Sequence, residues 1–389
     1  MAEVLLVINS GSSSIKFSIF ACQPTLNLLY HGEIESILDS PCLTIVDADH
    51  TQIVKQKISS KGTNAGLSAL FDWFKHLPDA KQLKVVGHRV VHGGSFFTHP
   101  TLVTDDVEKK IARLIPLCPL HQPQSLDAIK SIKAMYPKMP QVACFDTTFH
   151  HTQERLATLF AIPRKLTDEG LVRYGFHGIS YEYIASVIPE HIGDIGNKRV
   201  IVAHIGSGAS MCAMYQRKSV ATSMGFTALD GLMMGARCGS IDPGLILYLL
   251  QEKKFSVEQI TTLLYQESGL LGVSGISSDM RKLQSSKEPH AIEAVDLFCF
   301  IAARELSALC GILQGCDAIV FTAGIGEKSA LVRKKICERL KWLGVVLDET
   351  ANGHHASIIS HDSSKMIVSV IPTNEEYMMA RHTMRVIPR

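Results

Sequence analysis

Two arginines in this sequence stand where a solvated arginine would not. Arg89 lies within VVGHRVVHGG (85–94) and Arg237 within MMGARCG (233–239). Apolar and glycine neighbours predict partial burial, and a buried guanidinium needs an anion, either an internal carboxylate or a bound ligand. His177, in RYGFHG (173–178), and Asp146, directly after the apolar run ending at Phe145, are each placed to end an element and face a site. Taken singly, His177 reads first as a satisfied core histidine and Asp146 as a capping aspartate. The turns NSGSSS (9–14) and GSGAS (206–210) expose backbone N–H groups and hydroxyls together, which suits a phosphate chain, and Lys16 adds a point charge beside the first. Gly and Ser are also the default residues of ordinary hairpins, and neither turn matches GxxxxGK[ST]. Asp279 and Arg281 read equally as an i, i+2 surface pair.

The elements that must carry these residues follow from apolar patterning. VLLVI before the first turn and IKFSIF after it predict two strands, hence a hairpin and not a strand-to-helix turn. The same design recurs over 199–214, where VIVAHI and MCAM flank the second turn. One such hairpin in each half suggests a duplicated architecture. Between them, 105–114 and 125–135 have helical patterns, separated by a proline-marked loop at 118–123 that could face a cleft. Ile292, Val295, Cys299, Ala302, Leu306, Leu309 and Leu313 recur at three- and four-residue steps and predict one apolar face of a long helix stopping near Gly315. The run 318–321 reads as a buried strand. It ends in TAGIGE (322–327), a glycine-rich turn leading into a helix over 329–343, where a ligand could approach backbone amides and a helix N-terminus.

At 389 residues the chain exceeds the size at which one core keeps growing, so two domains or lobes are expected. A hydrophobic fraction of 46%, a charged fraction of 20% and a net charge of +2 give no reason to expect a polyanion, so no nucleic-acid partner is anticipated. The start MAEVLLVINSGSSS lacks a basic leader, and no segment approaches the ~18 apolar residues of a membrane helix, so no membrane association is expected. Ten scattered cysteines without a CxxC pair, the closest being Cys310 and Cys316, read as reduced core thiols in a cytoplasmic protein.

Taken in order, NSGSSSIK (9–16), HRVVHGG (88–94), FDTTFH (145–150), RYGFHG (173–178), HIGSGAS (204–210), TSMGF (222–226), SSDMR (277–281), TAGIGE (322–327) and IPTNEE (371–376) resemble the acetate kinase family, from residue 4 to about residue 381. The resemblance implies an α/β fold of two ribonuclease-H-like (βββαβαβα) lobes with an active-site cleft between them, as in actin, sugar kinases and heat-shock ATPases. Residues 1–148 with 374–389 would form the lobe carrying the first phosphate hairpin, and 149–373 the nucleotide-binding lobe. It also implies a homodimer, ATP or ADP as co-substrate, Mg2+ with Mn2+ able to substitute, and reversible in-line transfer from ATP to acetate, with propionate as the alternative acceptor.

Position by position, the resemblance makes Asn9 and Glu375 the magnesium-associated residues. Lys16 and His204, Ile205, Gly206, Ser207 and Gly208 become phosphate contacts. Asp279, Met280 and Arg281, with Gly324, Ile325, Gly326, Glu327 and Lys328, become the adenosine side. Arg89 and Arg237 would clamp carboxylate and phosphoryl group, His177 would stabilise the transition state, and Asp146 is the active-site acid. Val91, Leu120 and Phe176 would line a small acyl pocket. The chain departs from the family pattern at Gln122, Ser207 and Lys328, where Asn is usual, at Ala228, where Pro is usual, and at Ala236, Cys238 and Ser240 beside Arg237. A smaller residue at 228 would leave room for one more methylene.

The physical demands agree with these roles. Phosphoryl transfer asks for alignment and positive charge around the equatorial oxygens, where one arginine is worth roughly 10³ to 10⁵ in rate. A carboxylate acceptor with a pKa near ~4 is already ionised and needs no general base, so Asp146 is expected to orient an arginine or metal ligands. A sugar or glycerol kinase of the same superfamily would need a base and polar sugar contacts. A non-catalytic nucleotide-gated module would have no use for the two arginines.

Overall fold

The computed structural model describes residues 3–11, 13–23, 25–77, 82–119 and 121–387. The chain divides into two compact units, Met1–Thr148 with Asn374–Arg389, and Phe149–Thr373.

The first unit is built on strands β1 (Glu3–Ser10), β2 (Ile15–Ala21), β3 (Asn27–Glu35), β4 (Cys42–Asp47), β5 (Gln52–Lys57), β6 (Gln82–Val90), β7 (Thr101–Leu102) and β8 (Gln141–Phe145), ordered β5-β4-β3-β2-β1-β6-β8-β7. Strand β1 pairs antiparallel with β2 and parallel with β6, and β6 pairs parallel with β8. The second unit carries β9 (Arg199–Ile205), β10 (Ala209–Tyr215), β11 (Lys218–Thr222), β12 (Ala318–Thr322) and β13 (Ile367–Val370), ordered β11-β10-β9-β12-β13. Here β9 pairs antiparallel with β10 and parallel with β12, and β12 pairs parallel with β13. Without β4, β5 and β7, the first sheet has the order and strand senses of the second. This is the duplication that the two hairpins announce.

Both central strands are buried along most of their length because helices cover both faces, the arrangement that makes parallel strands read as continuous apolar runs. In the first unit, Leu6, Ile8, Phe17 and Ile19 pack with Leu67 and Leu70 of the helix Thr63–Lys75. In the second, Val200, Val202, Cys212 and Val320 pack with Ile184 and Ile188 of the helix Gly178–Ile192. Each such side chain contributes about 1.5–3 kcal/mol by leaving water. The final helix, Glu375–Val386, lies against β1, β6 and β8 of the first unit. It approaches so closely that a Cβ at Gly87 would collide with Thr383 Oγ1.

Three local expectations are corrected. The loop at 118–123 is shorter than its prolines suggest, because the helix Gln122–Met135 already includes Pro123 in its first turn, where a missing N–H costs nothing. TAGIGE is no open turn: Ala323–Lys328 is itself helical, entered through Ala323 at φ 65°, and a second helix, Ala330–Glu338, restarts behind the Ser329 cap. The long helix runs Pro289–Ile312 with the expected buried face, but Ile292 is half exposed on its outer side.

Candidate active site

In the first unit, Asn9 at the end of β1 pairs directly with Lys16 on β2, which sets both side chains on one face of the hairpin. Arg89, one residue before the end of β6, is nearly buried and bonds Asp146 in a fork, Nε to Oδ1 at 3.0 Å and Nη2 to Oδ2 at 2.6 Å, while Nη1 reaches Asn9 Oδ1 at 3.4 Å. Asp146 follows β8, whose end lies beside that of β6, and its N–H donates to the Val90 carbonyl. Both partners are therefore positioned by adjacent parallel strands. Glu375 opens the final helix behind the Asn374 cap. Burial pushes its carboxyl up to about 7; Arg89 opposes that shift, and Asp146 and Glu376 add to it. Burial also opposes the charge on Arg89, but Asp146, Glu375 and Glu376 hold its guanidinium above its ordinary value.

These groups fit a magnesium ion. The Asn9 amide oxygen and the Glu375 carboxylate are hard donors, and a divalent cation would offset the cost of ionising a buried carboxyl beside Asp146. Among the described residues no group of three or more His, Cys, Asp or Glu is gathered to hold a metal. Magnesium, which keeps waters and substrate phosphates in its shell, needs no such cage.

The loop after β6 is fixed from behind. Gln122, fully buried, accepts from the His92 N–H at 3.1 Å and donates to the His92 carbonyl at 2.9 Å, and Thr147 Oγ1 accepts from the Gly93 N–H at 3.0 Å. Glutamine at 122 is thus a working tether. Val91 is half-buried at the start of this loop. Leu120 lies outside the described residues.

In the second unit, RYGFHG is held by His150, whose Nε2 bonds the Phe176 carbonyl at 2.9 Å and whose ring leaves no room for a Cβ at Gly175, where φ is 73°. His177 follows in the left-handed region at φ 56°, capping the helix Gly178–Ile192. A non-glycine residue there costs about 1–2 kcal/mol, which the surrounding packing must overcome. The strained backbone turns its ring toward the second hairpin. Any Cβ at Gly208 would lie 2.8 Å from Arg237 Nη2 and 3.2 Å from His177 Nε2, so the turn, the arginine and the histidine converge at one point. Arg237 is steadied by an Nη1 bond to the Ala228 carbonyl at 2.5 Å. Its neighbour Gly235 donates from its N–H to the Ser207 carbonyl at 3.2 Å. His177 and His204 stack with centroids 4.2 Å apart.

Other expected residues are placed less decisively. Asp279 caps the short helix Met280–Ser285 and forks onto Arg281, which is the plain surface pair; Arg281 bonding pulls the Asp279 carboxyl down to about 2. Met280 and Phe176 are buried, whereas Ser207, Gly324 and Lys328 are exposed. Ile205 and Gly326 are interior, and Gly206 and Ile325 are partly covered. Glu327 Oε1 accepts from the Thr373 N–H at 3.1 Å, Thr373 bonds Ser180 at 2.8 Å, and Ser180 bonds His204 at 2.8 Å. Sequence reasoning missed Ser180, Tyr181 and fully buried Arg333, and it read Ser210 as part of an exposed turn, whereas Ser210 is fully buried on β10 with its hydroxyl on His177. Arg333 has carbonyl partners at Gly326, Glu327 and Asn352, and burial pulls it down to about 10. Nothing local pairs them with their partners, which lie from 6 residues away, for Arg333 and Glu327, to 193, for Ser180 and Thr373.

Known proteins resemble this chain along its whole length. The profile of the acetokinase family matches residues 4–381. An acetate kinase of Rhodopseudomonas palustris is 48% identical over 99% of this chain and 98% of its own. Among solved structures, a propionate kinase from Francisella tularensis superposes with a TM-score of 0.92 at 35% identity, covering 99% of this chain and 100% of that one. The acetate kinase of Porphyromonas gingivalis gives 0.89 at 33%, covering both chains fully. With two sheets of one plan, each presenting a hairpin to a half-buried arginine, and with this match along its length, the chain belongs to the acetokinase family of phosphotransferases that use a carboxyl group as acceptor.

Proposed function

We propose that the chain catalyses reversible in-line transfer of the γ-phosphoryl group of ATP to acetate, giving ADP and acetyl phosphate. The observation that carries this reading is the convergence of Arg237, His177 Nε2 and the Gly208 turn, a guanidinium and a ring nitrogen beside a cradle of backbone groups. That is what a transferring phosphoryl group requires. Lys16 and the turn from His204 to Gly208 hold phosphates, and the segments 279–281 and 324–328 take the adenosine side. Arg89 and Arg237 grip carboxylate and phosphoryl oxygens. Asn9 and Glu375 would hold Mg2+, or Mn2+ in its place, which supplies neutralisation of phosphate charge when bound. Both oxygens of Asp146 are engaged by Arg89, which supports an orienting role over that of a base. An acetate ion has no proton to remove. Val91, Leu120 and Phe176 line the acyl pocket in this reading.

A homodimer in the cytoplasm completes the proposal. The helix Pro243–Gln251 is mostly apolar yet buries no residue, and Ile241, Leu245, Leu247 and Tyr248 are exposed, which supports a second copy covering that face. Ten free cysteines support a reducing compartment. No helix among the described residues is long and apolar enough to cross a membrane.

Propionate is the second reading, favoured by the small side chain of Ala228 on the segment whose carbonyl steadies Arg237. One methylene is worth only ~1–3 kcal/mol, so the two acceptors differ by degree. ADP release with ATP, Mg2+ and acetate, propionate, butyrate or glycerol tests both. Turnover with acetate above propionate, abolished by Arg237→Ala, is expected. Turnover with glycerol alone, or with no carboxylate, overturns the reading.

A further inference from the structure

Two buried hydroxyls lie in line behind the ring of His177 in the second unit. Ser210 Oγ is 2.8 Å from His177 Nδ1 and 2.5 Å from Tyr181 OH. Ser210 and Tyr181 are fully buried, and His177 is nearly so. Ser210 is fixed by the β9–β10 ladder, opposite His204, and Tyr181 by the first turn of the helix that His177 caps. All three are therefore held by backbone elements and shielded from solvent, with Ser210 Oγ in contact with both of the others.

Each hydroxyl carries one proton. Where a phenol meets an alkyl hydroxyl, the phenol is the stronger acid and the better donor, and the alkyl oxygen the better acceptor. Tyr181 therefore donates to Ser210 Oγ, and the Ser210 proton is directed to His177 Nδ1. A ring nitrogen that accepts carries no proton, so the proton of the imidazole sits on Nε2, the atom 3.2 Å from the Cβ position of Gly208 and beside Arg237.

We propose that Tyr181 and Ser210 are positioning residues that set the tautomer of His177, so that its Nε2–H is presented to the phosphoryl group as a neutral donor. The inference rests on the kinase reading for its consequence but not for its geometry. A neutral ring can donate to a phosphoryl oxygen without adding a second full charge beside the Arg237 guanidinium. Its proton does not leave, so no step consumes it. The relay also explains why the backbone of His177 is kept in a strained region, since that conformation places both ring nitrogens between the hydroxyls and the turn.

The test reads the tautomer directly. In protein labelled with 15N-histidine, with the His177 signals identified by their loss in His177→Gln, long-range 1H–15N correlation should show Nδ1 as pyridine-type and Nε2 as pyrrole-type without any substrate. Ser210→Ala should lose that pattern and lower kcat about 10²-fold, the cost of one misdirected donor, with KM for both substrates within about twofold. Ser210→Thr, which keeps the hydroxyl, should restore both. Tyr181→Phe, which keeps the ring and the fold, should mix the tautomers and lower kcat about tenfold. A wild-type His177 protonated on Nδ1, or on both nitrogens, overturns the inference whatever the activity. So does an equal loss in the alanine and threonine variants. If the tautomer is as stated but no carboxylate is phosphorylated, the kinase reading fails and the relay stands.

Discussion

The two units hold the same hairpin against different chemistry. Beside β1–β2 stand full charges, with Arg89 forked onto Asp146 and close to Asn9 and Glu375. Beside β9–β10 stand hydroxyls and imidazoles, with Arg237 held by a neutral carbonyl. The difference concerns what each arrangement costs to disturb. Buried opposite charges compensate one another, so removing one strands the others in a medium that cannot solvate them. A neutral network loses only hydrogen bonds of about 1 kcal/mol each. The first unit therefore couples its chemistry to its stability, and the second separates them.

The sharpest way to break this contrast is to remove each arginine. Arg89→Ala and Arg237→Ala should both lower turnover by roughly 10³-fold or more, as loss of a phosphoryl-binding arginine does. Only Arg89→Ala should also destabilise its unit, by about 3–5 kcal/mol, because Asp146 and Glu375 are left without their cation. Denaturant titration of both variants checks this; equal stabilities would erase the distinction.

Gly208→Ala should come next. The added methyl displaces the flexible end of Arg237 and the edge of His177, not backbone, so turnover should fall about 10²-fold from misplacement of the two groups. The melting temperature should hardly move. Asp146→Asn probes the charged side more gently: turnover should fall about tenfold as the Arg89 fork loosens. The pH–rate profile should keep its limbs, and loss of one would make Asp146 a base.

The smallest effect is a shift in stability with pH. Desolvation pushes the half-buried Glu375 carboxyl up to about 7 in the folded chain, against ~4.3 once unfolded. Between these values the native state holds a proton that the unfolded state has released. The stability this provides is complete at low pH and is lost as pH rises through the folded value. Glu375→Gln, neutral throughout, should therefore melt a few degrees above wild type at about pH 8 and level with it at about pH 4. Without added metal, thermal melts at both pH values measure this. A variant less stable at the higher pH would mean that the carboxylate is already compensated by Arg89.

Much of the fold was legible because its signals are local. Strand runs on either side of Gly/Ser turns can only be hairpins, and the spacing from Val295 to Leu313 can only bury one helix face. TAGIGE was misread because glycines that usually open a turn here sit inside a helix, which β12 feeds through a single left-handed residue. Ile292 satisfied the helical period but lies at the margin of the buried stripe, where tertiary packing decides exposure. Arg89, Asp146 and His177 were each visible as unusual residues, yet the sequence left every one with an ordinary alternative.

The sequence by itself determined the duplicated hairpin plan, the partial burial of Arg89 and the motifs that tie the chain to its family, because these depend on residue type and short-range spacing. Only the tertiary structure decided that Arg89 grips Asp146, that Arg237 and His177 meet at Gly208, and that Tyr181 and Ser210 stand behind the imidazole. Most of those contacts join residues from 29 to 57 positions apart, and such pairings exist only once parallel strands and their crossover helices have set the register.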